Sequence, residues 1–384
     1  MKVLIIQGSG SNDLISGEDV VIANDVKELH SNGINVVFKK ITLCDKGIKK
    51  FLQKIAGVTW SISKYKIVDK YIQEYKPDLI HFHTILPYLS LSVIYAAKKN
   101  NLPILQTLHN GRWLCLEGGY FRAGSYCDDC IQTYGFKGVL RGCGHGPLIS
   151  FLLFLNNFLF RRFDKSISKF IAVSNFVKDQ HIRSNFPLEK VIVRKNSVPD
   201  FKEKILARRI KNQKNITYSG RLSIAKGSNT LELLIQNLDV CINIIGNGPE
   251  LENITDKYQH YPNVYLYGKV SNEKAIQIIE KSSVVVIPSK CGESYPTVAI
   301  EALSRGIPIV ASNIGGLKEI VEESSAGLLV DLEKEKEFVE TVEMLINNPE
   351  KLEFLRSNAI KFSNKNNIKS KTIELINIYK SEVF

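Results

Sequence analysis

One rhythm constrains the fold more than any other feature of the sequence. "KVLIIQ" (Lys2 to Gln7) is a short apolar run that breaks into "GSGS", passes through a helical pattern from about Gly17 to Asn32, and leads to a second run, "NVVFKK". Strand, glycine loop, helix and strand in that order build a parallel sheet, because parallel neighbours need a connection long enough to return along the sheet. The rhythm recurs in "PDLIHFH" before "SLSVIYAAKKN", in "PILQTLH", in "KFIAVS" before "FVKDQHIRSN", and in "VIVRKN". After a charged stretch, "KEKILARRIKNQKN", it begins again with "NITYSG", "VCINIIG", "NVYLYG", "VVVIPS", "IPIVAS" and "GLLV". The 384 residues exceed most single cores, so two doubly wound α/β domains facing a cleft are expected. The boundaries are residues 1–199, residues 200–365, and a C-terminal helix over 366–384 that packs back toward the first domain. In open parallel sheets, ligands sit outside the carboxyl ends of the strands, and chemistry is sought there.

Charge narrows the partners. The first 200 residues carry 27 Lys+Arg against 16 Asp+Glu, whereas the remainder carries 24 against 23. A basic first half suits an anionic partner. No helix-turn-helix, RNA-recognition or zinc-finger pattern accompanies the charge, so nucleic acid is disfavoured and an anionic membrane surface is the expected contact. The longest apolar run, "PLISFLLFLNNFLF", has 14 residues, against the roughly 20 that a bilayer-spanning helix needs. It reads as a core helix with Asn156 and Asn157 on an exposed edge, or as a helix resting on a membrane interface, since "RRFDK" follows. The N-terminal residues lack the pattern of a secretory signal, which leads us to expect a cytoplasmic protein, peripheral on the inner membrane face.

The second half holds the densest chemistry. In "VVVIPSKCGESYPTVAIEALSRGIPIV", an apolar strand ends at Pro288, a loop follows, and Pro296 sets the backbone for a helix start. Free amides at Thr297 and Val298 would then form an anion site, with Glu301 one turn in and Glu293 in the loop beside it. A phosphate flanked by two carboxylates matches a sugar nucleotide, because carboxylates accept hydrogen bonds from pairs of sugar hydroxyls. "YSGRLSIAKGSNTLELL" places Arg221 and Lys226 between a strand and a helix, where two cations can neutralise a departing diphosphate. Gly246 and Gly248 mark another strand-to-helix turn, and Val270 lies between a strand and a helix in a position suited to edging a flat base.

The ordered set "GRLSIAKG", "IIGNGPE", "YGKVSNEKAIQIIEKSSVVVIPS" and "ESYPTVAIEALSRGIPIVASNIGG" resembles the family 4 glycosyltransferases, including their Glu, seven residues, Glu signature. The resemblance covers essentially the whole chain. It implies the GT-B fold of two Rossmann-like domains, a nucleotide-diphosphate sugar donor with UDP the commonest base, retention of anomeric configuration, and no catalytic metal. By motif position it assigns Arg221 and Lys226 to the donor phosphates, Thr297 and Val298 amides to the diphosphate, Glu301 to the ribose, and Glu293 to the transferred sugar. The residues after Glu293 depart from the family's usual "E-x-F-G": here they are Ser294, Tyr295 and Pro296. The expected activity is hexosyl transfer to a saccharide or polyprenyl-linked saccharide in surface polysaccharide assembly. A nucleotide-sugar epimerase of the same fold and a non-catalytic sugar-nucleotide-binding subunit are the alternatives.

In the first half, "ILQTLHNGRWLCLEGGYFRAGSYCDDCIQTYGFKGVLRGC" resembles a segment of a subset of the same family, which would put His109 near the leaving phosphate and the reacting sugar. His81 and His83 also end a strand; His81 reads as structural and His83 is left open. Gly17 opens the helix after the first glycine loop, where the family brings a glycine near the donor diphosphate or the acceptor. Cys115, Cys127, Cys130 and Cys143 have a spacing that suits either a structural zinc ion or four separate thiols along an irregular loop.

Overall fold

The computed structural model describes residues 1–10, 16–43, 56, 58–143, 146–197, 214–331 and 333–384. The charged stretch expected at the domain boundary, residues 199–212, lies outside the described residues. The chain forms two compact units, one of Met1–Tyr120, Cys127–Asn196 and Lys369–Phe384, the other of Phe121–Tyr126 and Ser197–Ile368.

The first unit is built on a six-stranded sheet in the order β2-β1-β3-β4-β7-β8. Its strands are β1 (Lys2–Ser9), β2 (Asn35–Thr42), β3 (Leu79–His83), β4 (Ile104–Leu108), β7 (Lys169–Ala172) and β8 (Val191–Val193). All five pairings are parallel, with Val3 opposite both Val36 and Leu79. A hairpin of β5 (Phe121–Arg122) and β6 (Ser125–Tyr126) stands apart from the sheet. The chain leaves β1 toward β2 and returns to β3 on the other side, so β1 and β3 flank the point where strand order reverses. Val3, Ile5, Leu79, Leu105 and Ile171 form a core with Leu375, Ile376 and Tyr379 of the C-terminal helix Ile368–Val383.

The second unit repeats the plan with the order β11-β10-β9-β12-β13-β14. The strands are β9 (Asn215–Ser219), β10 (Cys241–Ile245), β11 (Val264–Gly268), β12 (Val284–Ile287), β13 (Ile309–Ser312) and β14 (Gly327–Val330), again all parallel. Here β9 and β12 flank the reversal. β12 is a continuous apolar run, while β9 and β10 bury Thr217 and Asn243 among apolar residues, and Ile216, Ile242, Ile244, Val284 and Val286 pack with Leu231, Leu234, Val342 and Leu345 from helices. Both reversal points lie where a doubly wound sheet opens a crevice for ligands.

The Pro147–Phe160 helix corrects one expectation. Asn156 and Asn157 are 2% and 1% exposed, not on an outer edge. Their amides donate to backbone carbonyls, Asn156 to Val58 and Asn157 to Arg112 and Tyr134, so the polar residues serve the packed face while Leu148, Phe151 and Phe158 point outward. Among the described residues no helix is long and apolar enough to cross a membrane.

Candidate active site

In the second unit the sequence-predicted residues gather on the loops after β9 and β12. Tyr218, buried in β9, donates its hydroxyl to the carbonyls of Arg221 (2.9 Å) and Lys226 (3.2 Å), which fixes the loop that carries both cations. The amide of Lys290 on the β12 loop donates to the Ala225 carbonyl at 2.9 Å and ties the two loops together. Lys226 Nζ then reaches Glu293 Oε1 at 2.5 Å, and Ser289 Oγ donates to the same oxygen at 2.6 Å. Glu293 is 9% exposed, so its charge is held by these two donors rather than by water. Burial works against the charge on Lys226, but the Glu293 carboxylate outweighs it and holds the ammonium pKa above its ordinary value. Cys291 itself is pushed up to about 11 by burial and by Glu293, which leaves it a thiol. Arg221 is exposed and makes no ion pair with a described residue.

Glycines shape the same end of the sheet. Gly246, at φ 139°, follows β10, and a Cβ there would stand 1.8 Å from the Gly220 carbonyl oxygen; one on Gly248 would stand 2.1 Å from that of Leu222. Only glycine lets the two loops approach so closely. The Thr297–Leu303 helix starts after Pro296 with no side chain capping it, so the first amides, those of Thr297 and Val298, have no capping acceptor. Glu301 in that helix is 8% exposed and accepts from Asn272 Nδ2 at 3.1 Å, and burial raises its carboxyl pKa. Val270 is half-buried between β11 and the Asn272–Ile279 helix that Ser271 caps.

The corresponding end of the first unit is built from imidazoles. Ser16 and Asp19 form a capping box that starts the Gly17–Ser31 helix, with Gly17 as its first residue. Glu18 follows and accepts from Thr84 Oγ1 at 2.6 Å and Gln7 Nε2 at 3.3 Å. His83 Nδ1 and His109 Nε2 share a hydrogen bond of 2.8 Å, with the rings stacked 5.1 Å apart. His81 bonds Tyr379 and Thr107, both at 2.7 Å. Burial lowers the pKa of all three histidines, His81 to about 3, with Arg194 also disfavouring protonation. Arg194 is paired in turn with buried Asp25 through two bonds of 2.6 Å and donates to the Lys371 carbonyl at 3.0 Å. Glu18, His83 and His109 offer one ligand atom each, all within 4.8 Å of one another, a grouping compatible with a metal ion.

Two family descriptions together cover most of the chain: "Glycosyltransferase Family 4" matches residues 20–200 and "Glycosyl transferases group 1" matches residues 200–362. The chain belongs to the family 4 type of glycosyltransferases. An uncharacterized glycosyltransferase of Methanocaldococcus jannaschii is 26% identical over 82% of this chain and 78% of its own length. Among solved structures, HepE of Anabaena in complex with UDP-glucose superposes with a TM-score of 0.70 at 19% identity, covering 99% of this chain and 100% of that one. WaaG, a glycosyltransferase involved in lipopolysaccharide biosynthesis, gives 0.65 at 11% identity, covering 98% and 99%. These likenesses fix the fold as GT-B.

Sequence reading missed several residues of this glycosyltransferase. Ser289 stands four residues before Glu293 and could have been suspected from that spacing. Asn272 comes from a separate helix, and Glu18 sits in a first helical turn, where an acid carries no signal beyond the helix dipole. Nothing local announces Asp25 with Arg194, which are 169 positions apart. The four cysteines are free thiols, with Cys115 and Cys130 buried. Burial pushes the Cys130 thiol up to about 12, and the other three cysteines add to the effect. Among the described residues their sulfurs do not form a set within 4.8 Å, which is wider than tetrahedral zinc requires.

Proposed function

We propose that this glycosyltransferase moves a hexose-type sugar from a UDP-sugar to a saccharide or polyprenyl-linked saccharide, with retention of anomeric configuration, in the assembly of a surface polysaccharide. One observation carries the reading: Lys226 meets Glu293 at 2.5 Å, on the same loop that carries exposed Arg221. A diphosphate arriving there competes for Lys226 and frees Glu293 to accept hydrogen bonds from the transferred sugar. Arg221 and Lys226 then stabilise the departing diphosphate, and the Thr297 and Val298 amides meet its oxygens. Glu301, buried and bonded to Asn272, holds the ribose; Gly246, Gly248 and Val270 shape the space around the nucleotide.

Transfer proceeds by front-face displacement. The bond from the anomeric carbon to the diphosphate oxygen breaks, the acceptor oxygen bonds the same carbon from the same side, and its proton passes to the leaving diphosphate. Glu293 positions the sugar and forms no covalent bond. His109, held by His83, is assigned to orienting a hydroxyl. HepE, crystallised with UDP-glucose, supports the choice of UDP, and WaaG, through its part in lipopolysaccharide biosynthesis, supports the polysaccharide setting.

Thermal-shift screening with UDP-, GDP- and ADP-sugars tests the donor, because a ligand of the native state raises the melting temperature. The expected outcome is a shift with a UDP-sugar that Lys226→Ala abolishes. A screen in which no sugar nucleotide shifts the melting temperature overturns the reading. Product analysis without acceptor separates transfer from epimerisation: a changed sugar still attached to its nucleotide would show an epimerase.

A further inference from the structure

The Pro147–Phe160 helix is inside out for a water-soluble protein. Its buried face carries Ser150, Asn156 and Asn157, all bonded to backbone carbonyls, alongside Leu153 and Phe160. Its outer face carries Leu148 (63% exposed), Phe151 (48%) and Phe158 (50%), with half-buried Leu155 completing a stripe at three- and four-residue spacing. The neighbouring Phe136–Leu140 helix adds Phe136 (45%) and Leu140 (71%). Phe154 joins the two, with ring centroids 5.3 Å from Phe136 and 6.3 Å from both Phe151 and Phe158. Single exposed apolar residues are ordinary; a contiguous aromatic patch on one hairpin marks an interaction surface.

Charge selects the occupant. Between Ile131 and Phe163 the sequence has four Lys or Arg residues and no Asp or Glu; Arg141 is paired with Asp129 and Arg161 with Asp164 just outside that stretch, and Lys137 and Arg162 make no ion pair with a described residue. Lys137 and Arg162 are exposed, as is Lys165 just beyond. A second copy of the chain docked through this face would bring like charges together. An anionic lipid surface answers both the apolar stripe and its basic rim. We propose that the Phe136–Leu140 and Pro147–Phe160 helices are the membrane-docking surface of this glycosyltransferase, lying flat in the headgroup region of a leaflet that contains anionic lipid. A 14-residue helix is about 21 Å long, short of the roughly 30 Å hydrocarbon core, so it rests on the bilayer. The inference names the surface through which a lipid-linked acceptor is met; it rests on the proposed function for the acceptor and on this patch alone for the membrane.

Co-sedimentation of the full chain with vesicles of phosphatidylcholine, alone or with 30% phosphatidylglycerol as the probe composition, tests it. Expected are binding to the anionic vesicles at low salt, weaker binding at high salt, and at least about a tenfold loss of affinity in Phe151→Ser/Phe158→Ser. These side chains are exposed, and an unchanged melting temperature confirms that the variant folds; Lys137→Glu/Arg162→Glu gives an independent loss through charge. Wild-type binding to neither vesicle, or equal binding of both variants and wild type, overturns the proposal. So does a dimer in light scattering that the serine variant dissolves. UDP release from a UDP-sugar in solution is read separately: its failure with vesicle binding intact sinks the proposed function and leaves this surface standing.

Discussion

The two units share one plan and use it in opposite ways. Each is a six-stranded parallel sheet whose strand order reverses beside its first strand; the second unit carries Arg221, Lys226 and Glu293 on the loops at that reversal, and the first carries His81 and His83 within β3, one of the two strands that flank it. In the second unit those residues are charged and reachable: Lys226 is 33% exposed while bonded to Glu293, and Arg221 is open to solvent. In the first unit the two histidines of β3 are sealed, and burial lowers the pKa of both, whereas Glu18 and His109 beside them are half-buried. His81 and His83 are 1% and 3% exposed, and the charged pair behind them, Asp25 and Arg194, is 3% and 6% exposed. The same region of the topology thus carries an accessible Lys226–Glu293 ion pair in one unit and buried imidazoles in the other. Fold alone predicts where a site lies; the burial of its charges predicts what it does.

The comparison breaks most visibly at Asp25. Its loss leaves the Arg194 guanidinium buried without a counter-charge, and removing one partner of a buried pair costs about 3–5 kcal/mol. Arg194 also holds the Lys371 carbonyl of the C-terminal helix, so Asp25→Ala is expected to lower the melting temperature and loosen that helix, read by hydrogen exchange across Ile368–Val383. A variant as stable as the wild type would mean that the first unit does not depend on its sealed charges.

Lys226→Ala should act the other way, leaving the fold intact and removing transfer. Losing one preorganised charge at a developing diphosphate costs about 10²–10³ in kcat. Glu293→Ala is expected to match it, and the double variant to cost little more than either single one, since the two act as a pair. Full activity in either purified variant would remove the second unit's claim to the chemistry. Glu301→Gln is smaller: a hydrogen bond to a charged group contributes about 1.5–3 kcal/mol, so UDP affinity by calorimetry should fall roughly ten- to a hundredfold while kcat at saturating donor holds.

How much of this was legible in the sequence follows from the range of the interactions. The alternation of strands with glycine loops and helices is local, and it revealed both sheets and the loops that carry Arg221, Lys226 and Glu293. The Lys226–Glu293 pair spans 67 positions and was approached only because both residues belong to motifs with recognisable spacing. Asp25, Arg194 and Tyr379 carry no such motif; their meeting depends on a C-terminal helix packing in the first unit's core. The Pro147–Phe160 helix misled for a different reason. A pattern of apolar residues broken by two asparagines tells which side differs but not which side is buried, and here the asparagines face inward because loop carbonyls from Val58, Arg112 and Tyr134 need donors.

The finest test of the contrast is pH. His81 titrates near 3 in the folded chain, where burial and Arg194 hold it neutral, against about 6.5 when unfolded. Its folded pKa is depressed, so below about pH 6.5 the unfolded chain binds a proton that the folded chain refuses. Stability is then lost as pH falls, by about 1.4 kcal/mol per pH unit once the unfolded imidazole is fully protonated. His83 and His109 are lowered by burial as well and act in the same direction. Unfolding of the wild type should therefore shift to lower denaturant steadily between pH 6.5 and pH 4.5, and His81→Gln should flatten that slope by one imidazole's share even if it lowers stability at pH 7. Tyr379 and Thr107 can still bond a glutamine amide, which keeps the comparison fair. Parallel slopes in the two proteins would show that His81 accepts its proton in the folded state, and the sealed, neutral character assigned to the histidines of β3 would fall with it.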